Sequence, residues 1–176
     1  MISTSDITAL FGDLPKISTV EHYAAIGSTN DRARELAALG TPEIALVVAD
    51  EQLAGRGRQG RSWYTPPGTA LAFSLLTRPA IAPQHAMRLT MLAGLAAVEG
   101  IEWATGLRLD LKWPNDVVFH TAERWGKVGG ILTECAFPGD DIAYAVTGIG
   151  LNVHVDFSQQ LELRELATSL LHLTGG

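Results

Sequence analysis

Three arginines, Arg56, Arg58 and Arg61, stand close together in the chain, interleaved with Gly55, Gly57 and Gly60. A guanidinium group offers paired N–H donors that match phosphate and carboxylate oxygens. Glycine lets backbone N–H groups come close to a ligand. The stretch reads as a flexible anion-binding loop, with a solvated basic turn as the plainer alternative. Gly55-Arg56-Gly57-Arg58-Gln59-Gly60 also fits the G-x-G-x-x-G dinucleotide pattern. That turn must open a helix facing the pyrophosphate, whereas this one runs into Trp63, Pro66, Pro67 and Gly68. Proline breaks a regular helix, so residues 55–68 read as a long loop and the dinucleotide reading fails.

Further along, Lys112-Trp113-Pro114-Asn115-Asp116 ends an alternating strand and turns. Pro stops a strand ladder, and Asn-Asp is turn chemistry. Lys112 and Asp116 then project from one strand end, where an acid can hold Mg²⁺ and a lysine can face phosphate. An ordinary hairpin corner with Trp113 on the core is the alternative. Lys127 precedes Val128, Gly129 and Gly130 at a strand start, either an exposed lysine beside a glycine bulge or a cation aimed at a site. In Gly148-Ile149-Gly150-Leu151-Asn152-Val153 the glycines sit inside a β pattern. They imply a bulge or a close approach of the backbone to a ligand.

Other chemistries drop out. His22, His85, His120, His154 and His172 show no metal-ligand spacing, and Cys135 stands alone, so neither a zinc site nor an internal disulfide can be assembled. Cys135 lies in an apolar run and reads as a buried, inert thiol. No serine-centred elbow or paired-carboxylate motif is present. The net charge of −6 disfavours non-specific binding to nucleic acid. The opening residues 1–13 lack a basic segment followed by an apolar stretch, so no secretory signal is read there. No apolar run is long enough to span a bilayer. The cytoplasm is the expected location.

The elements that must position these groups can be read from periodicity. Strands are expected at residues 20–26, 44–49 and 70–77, at 107–112 (where Leu107, Leu109 and Leu111 alternate with polar residues), and at 117–119, 129–136 and 142–155. Ser28, Thr29 and Asn30 can cap a helix through Leu39, with Gly40 as its stop. Met87, Met91, Leu92, Leu95 and Val98 recur at helical spacing, predicting one long helix over residues 83–105. Residues 161–171 read as a further helix. Strands around two main helices give an α+β domain with a mixed sheet.

Taken together and in order, Ser28-Thr29-Asn30, Gln52 before GRGRQGRSW (residues 55–63), KWPND (112–116), GKVGGIL (126–132), GIGLNV (148–153) and the closing Ala167-Thr168-Ser169-Leu170 resemble biotin–protein ligases. The resemblance runs from about residue 20 to Leu170. It implies the catalytic fold of that family, a mixed, largely antiparallel sheet with helices packed on it. It also implies a two-step reaction. Biotin's carboxylate attacks the α-phosphate of ATP to give biotinyl-5′-AMP and pyrophosphate, and a lysine of a biotin carboxyl carrier domain then takes the biotinyl group. By the same resemblance Lys127 and Arg58 are catalytic. Ser28, Thr29, Asn30, Gln52, Gly55, Arg56, Gly57, Arg58, Lys127 and Gly130 bind biotin. Arg56, Arg58, Arg61, Trp63, Lys112, Asn115, Asp116, Lys127 and Asn152 bind ATP or the adenylate, with Asp116 the candidate for Mg²⁺.

The resemblance further implies a single catalytic domain over residues 1–176, without the family's winged helix before it or the helices and small β-barrel after it. No DNA and no membrane are expected as partners, and a homodimer is compatible with the family. Two alternatives stay open: a lipoyl or octanoyl ligase, and a domain that holds biotin without transferring it. A DNA-binding repressor is disfavoured by the acidic balance and the lack of a winged helix.

Overall fold

The computed structural model describes residues 17–42, 44–122 and 125–175; the opening residues 1–13 lie outside them. Seven strands form one sheet: β1 (Ile17–Tyr23), β2 (Ile44–Ala49), β3 (Ala70–Thr77), β4 (Asp110–Lys112), β5 (Asp116–His120), β6 (Trp125–Ala136) and β7 (Tyr144–Asn152). Their spatial order is β1-β2-β3-β7-β6-β5-β4. Only β1 and β2 run parallel; every other neighbouring pair is antiparallel. The helices are α1 (Thr29–Ala38), α2 (Met87–Thr105) and the short α3 (Leu170–Thr174). The expected α+β architecture with a mixed, largely antiparallel sheet is what forms.

Several boundaries differ from the periodic reading, each for a local reason. The first strand lies at Ile17–Tyr23, because residues 24–28 leave the sheet to enter α1; Ile26 keeps only an isolated bridge to Gln52. Residues 107–109 do not join the edge strand: Leu107 and Leu109 pack on the core while β4 is confined to Asp110–Lys112, and Leu111 is 41% exposed. The long helix begins at Met87, after a 3₁₀ turn at Pro83–His85. Its buried residues are Thr90, Gly94, Ala97 and Ile101, whereas Met87, Met91, Leu92 and Leu95 are exposed. Small side chains, rather than the large apolar ones, let this helix lie close to the sheet; a Cβ on Gly94 would stand 3.1 Å from Leu111 Cδ2. Gly106, at φ +75°, ends it. Residues 161–171 are a series of turns linked by bonds such as Leu163 N–H to Gln160 O (2.9 Å), and helix forms only from Leu170. Cys135 is half-buried, and desolvation raises its thiol pKa, in keeping with an unreactive group.

Strand alternation divides the core into two parts. Val146 joins Ala33, Leu36, Ala45, Val47 and Leu76 in the cluster under α1. Ile149 and Leu151, of opposite parity, join Ala97, Ile101, Val128 and Ile131 in the cluster under α2. Thr90 of α2 donates to Thr133 at 2.9 Å on this second side. Gly148, Gly150 and Asn152 therefore share the α1 face of β7, beside Ser74 of β3 and Leu132 and Gly130 of β6, their register partners. Neither β3–β7 nor β6–β7 contains a bulge. The glycines serve close approach, but the groups that approach are side chains of the protein where a ligand was expected. A Cβ on Gly148 would collide with the Asn30 carboxamide, and one on Gly150 with the Trp63 indole.

Gly148→Ala should therefore cost about 1–3 kcal/mol, the usual penalty for overpacking a tight interior. Asn30 is pinned and cannot swing away. Denaturant unfolding checks this, and wild-type stability in the variant would show that the Asn30 site yields freely.

Candidate functional site

On the α1 face, beyond the end of the helix, the sheet forms the floor of a cleft of roughly 720 Å³. Same-face residues of a strand are about 6.6 Å apart, so β7 sets out three stations in line. Asn30 sits over Gly148, Trp63 sits over Gly150, and Asn152 comes last. Asn152 is 2% exposed and donates Nδ2 to Lys127 O at 3.2 Å and to Thr168 O at 3.1 Å. It thus fastens the start of β6 to the segment that bridges Lys127 and Ala167.

The first station is polar. Ser28 occupies the N-cap position of α1, yet its side chain makes no cap hydrogen bond. The helix start is instead satisfied by Gln52, whose Oε1 accepts from Thr29 N–H at 2.9 Å and lies 3.1 Å from Thr29 Oγ1. Thr29 Oγ1 and Asn30 Oδ1 both contact the fully buried Ser74 hydroxyl, at 2.7 and 2.6 Å. Asn30 Nδ2 donates to Glu134 Oε2 at 2.8 Å and to Leu132 O at 3.3 Å.

A cation stands at the second station. The Lys127 ammonium is 2.6 Å from Asp116 Oδ1 and 5.3 Å from the centre of the Trp63 ring. Gly130 leaves room for it, since a Cβ there would stand 3.2 Å from Nζ. Asp116 lies opposite Lys112 in the β4–β5 hairpin, so both do project from one strand end; Lys112 Nζ rests 4.0 Å above the Trp125 ring. The turn between them contains a cis Trp113–Pro114 bond. It is stitched to β6 by Asn115 Nδ2 donating to Ile131 O and Ile131 N–H donating to Asn115 O, each at 2.9 Å.

The Gly/Arg segment is a folded-back hairpin between β2 and β3. Gly57 N–H donates to Arg61 O at 2.7 Å and Trp63 N–H to Gly55 O at 2.9 Å, around a tip with Gln59 at φ +59°. No helix follows, consistent with rejecting the dinucleotide turn. Arg56 grips Glu134 with NH1 and NH2 at 3.1 and 3.0 Å and reaches Asp31 at 2.7 Å. Burial works against its charge, but the Glu134 and Asp31 carboxylates outweigh it and raise its pKa. Arg58 NH1 donates to Asn115 Oδ1 at 3.4 Å, and Arg61 NH2 to Gln59 at 3.0 Å.

Ser28, Thr29, Asn30, Gln52, Arg56, Gly57, Arg58, Arg61, Trp63, Lys112, Asn115, Asp116, Lys127, Gly130 and Asn152 all line this one cleft. Gly55 stands behind its wall: a Cβ there would meet Trp63 O at 2.5 Å, so glycine lets the hairpin strands close. Sequence reasoning missed Ser74, Asp31 and Glu134. Ser74 had a signal, being the one hydroxyl inside the apolar run of β3 before its final Thr77. Among the described residues no group of three or more His, Cys, Asp or Glu could hold a metal, and no helix is long and apolar enough to cross a membrane.

The chain is similar to known proteins. The Biotin/lipoate A/B protein ligase family model matches residues 24–152. The Bifunctional ligase/repressor BirA of Bacillus spizizenii is 44% identical over 153 residues, covering 85% of this chain and 45% of that protein. The Biotin--[acetyl-CoA-carboxylase] ligase of Paracoccus denitrificans is 41% identical, covering 74% of this chain and 52% of that protein. The chain thus spans about half the length of these curated relatives. The biotin protein ligase of Aquifex aeolicus, solved in complex with biotin and ATP, superposes with a TM-score of 0.72 at 30% identity, covering 91% of this chain and 62% of that one. With the family model matching most of the chain, and the motifs that carry the likeness gathered on one cleft, the chain belongs to the biotin/lipoate A/B protein ligase family.

Proposed function

We propose that this cleft makes biotinyl-5′-AMP from biotin and ATP and presents it to a lysine of a biotin carboxyl carrier domain. The observation that carries this reading is the order of groups along β7: a hydroxyl- and amide-lined pocket at Gly148, then a lysine beside Trp63 at Gly150, with an arginine hairpin alongside. That order suits a ligand with a polar ring at one end and a carboxylate at the other. The motif resemblance and the relatives named above support biotin as that ligand.

The chemistry follows from charge. A carboxylate approaching a polyphosphate meets like charge, and one cation about 4 Å away offsets roughly 4 kcal/mol at an effective dielectric near 20. Lys127 is assigned that role. Its ammonium leaves Asp116 for the biotin carboxylate and the α-phosphate while a carboxylate oxygen bonds to phosphorus and pyrophosphate departs. Arg58, Arg61 and Lys112 hold the phosphates, and Arg56 and Gly57 close the hairpin over the product. Excluding water matters because the mixed anhydride hydrolyses. In the second step the acceptor amine attacks the acyl carbon, an amide forms and AMP leaves. Trp63 and Asn152 are placed at the adenine end, where Asn152 has only its carbonyl oxygen to offer, since Nδ2 is committed to Lys127 O and Thr168 O.

Mg²⁺ fits as a companion of ATP rather than a resident ion. Asp116 is the carboxylate that lies beside Lys112 and Lys127. Mg²⁺ is commonly held by one or two carboxylates with substrate phosphates completing its shell. There it would neutralise phosphate charge.

The direct test is to incubate the protein with labelled ATP, Mg²⁺ and either biotin or lipoate, and to look for the acyl-adenylate and pyrophosphate. Product with lipoate alone would overturn the biotin reading in favour of a lipoyl ligase. Lys127→Ala should keep the fold, as circular dichroism would report, and slow pyrophosphate release roughly 10²–10³-fold, the usual cost of removing one preorganised charge at a reacting centre. A near wild-type rate would take Lys127 out of the chemistry. Arg58→Gly should still form the adenylate but release it about 10–100-fold faster, the effect of losing one charge-assisted bond in dissociation. Adenylate off-rates decide this, together with hydrogen exchange across residues 55–68 with and without ligand. Unchanged off-rates, or a hairpin equally protected without ligand, would remove it as a lid.

A further inference from the structure

Resting on the assignment of Lys127 to the adenylation step, we infer that Asn152 and the segment 166–168 are positioning elements for that lysine: a β-bulge turns it into the cleft, and they hold the bulged strand. Side chains alternate between the two faces of a strand. In strict alternation along β6, Lys127 would share a face with Gly129 and Ile131 and point beneath α2. Ile131 does lie there, and a Cβ on Gly129 would meet Leu151 of the same side. Lys127 does not follow. Its Nζ stands over Gly130, on the cleft side, beside Asp116.

The break lies in the pairing with β5. The register passes from Val117↔Gly129 to Val118↔Lys127, so Val128 is an additional residue. Val128 packs with Val117 and Ile131 under α2, on the side that Gly129 also faces. An extra residue of this kind re-aims a neighbouring side chain and disrupts the ladder locally. Bulge and aimed cation, alternatives by sequence, are one feature.

A bulged strand end is poorly held, and the pairing of β6 with β7 begins only at Gly129↔Leu151. Segment 166–168 takes the open edge. Lys127 N–H donates to Leu166 O and Thr168 N–H to Lys127 O, each at 2.9 Å, around the parallel bridge from Lys127 to Ala167. Asn152 locks the junction, its Nδ2 lying 3.2 Å from Lys127 O and 3.1 Å from Thr168 O. Both oxygens only accept, so the network assigns the carboxamide orientation. Gly126, also buried, lets the segment close, since a Cβ there would stand 2.9 Å from Thr168 Cγ2. Reacting groups misplaced by about 1 Å can lose roughly 10²-fold in rate, so the anchorage of Lys127 matters beside its charge. This role of Asn152 is separate from any contact of its carbonyl oxygen with the adenine.

The test is single-turnover pyrophosphate release with biotin and either ATP or inosine triphosphate, for Asn152→Ala and Gly126→Ala. Gly126→Ala touches no ligand and only pushes the segment away. Each variant should lower the maximal rate about 10–100-fold. Gly126→Ala should also keep the wild-type half-saturating ATP concentration and the wild-type preference for ATP over inosine triphosphate. In a Lys127→Ala background neither change should slow the residual rate further, because an interaction that acts through Lys127 is lost with it. Rates that multiply in the double variants show independent structural damage and overturn the inference. An Asn152→Ala protein that keeps its maximal rate and loses only ATP affinity and base preference makes Asn152 an adenine contact alone, which also overturns it. Hydrogen exchange on wild type decides by itself should the variants not fold: the Lys127 and Thr168 amides should exchange as slowly as those inside β7, and fast exchange at either removes the brace. Should Lys127→Ala alone release pyrophosphate at the wild-type rate, the functional reading fails and this inference with it. A slow Lys127→Ala protein beside wild-type rates in both other variants overturns the inference only.

Discussion

A strand at the centre of a sheet is covered on both faces, and side chains at every position leave no room for a cleft above it. β7 meets this constraint by segregation. Its α2 face carries Thr147 and the core residues Ile149 and Leu151, while its α1 face carries Gly148 and Gly150. With no side chain at those two points, the Asn30 carboxamide and the Trp63 indole can lie against the backbone. Every other feature of the site is referred to these contacts. Asn30 reaches β3 at Ser74 and β6 at Leu132 and Glu134 because nothing stands between them at Gly148. Trp63 brings the arginine hairpin down beside Lys127 because nothing stands between them at Gly150.

The charges are held so that they can change partners. Lys127 is paired with Asp116, and Arg56 with Glu134 and Asp31, at side-chain exposures between 24% and 41%. Pairs this exposed contribute only about 0–1 kcal/mol each, whereas a cation left alone in a half-closed cleft loses solvation with no return. The carboxylates therefore keep the cations in place at little energetic cost. On the proposed reading, an incoming phosphate or carboxylate displaces Asp116 from Lys127 without breaking anything that holds the fold. Arg56 differs, because Glu134 also holds Asn30; moving it disturbs the polar pocket as well as the hairpin.

Much of this was legible in the residue order, for identifiable reasons. The α+β class follows from strand and helix periods, and the cleft from motifs that fall at strand ends. Gly148 and Gly150 pointed to either a bulge or the close approach of a ligand, because glycine weakens a strand interior. What approached them could not be read, since Asn30 is 118 residues from Gly148 in the chain (148 − 30) and Trp63 belongs to a loop. The long helix deceived by its large residues. Met87, Met91, Leu92 and Leu95 have helical spacing, but the face that fits against β6 is the one with Gly94 and Ala97. Residues 161–171 were apolar enough for a helix, yet the chain there turns so that Leu166 O can accept from Lys127 N–H at 2.9 Å, a tertiary demand invisible to local pattern. Glu134 escaped because a lone acid on a strand looks like any solvated residue until Arg56 is brought to it.

Membership of a family that embraces both biotin and lipoate ligases leaves the choice of acid to a small part of the cleft. On the proposed reading the cationic end serves any carboxylate activated on ATP, since its groups are matched to phosphate and carboxylate alone. On that reading discrimination arises where the two acids differ, at the ring, which would lie at the Gly148 station. A hydrophobic pocket separates ligands of similar size weakly, while a site with a fixed, buried hydrogen-bonding demand rejects a ligand that cannot meet it far more strongly. Such a demand is fixed only if its own partners cannot reorient. Here Arg56 holds the Glu134 carboxylate, Glu134 and the Leu132 carbonyl take the Asn30 amide protons, and Asn30 Oδ1 takes the Ser74 proton, so the Asn30 carboxamide cannot turn over. The arginine hairpin and the polar Gly148 station are thus joined through Glu134 and Asn30, so on the proposed reading a movement at one end of the cleft is felt at the other.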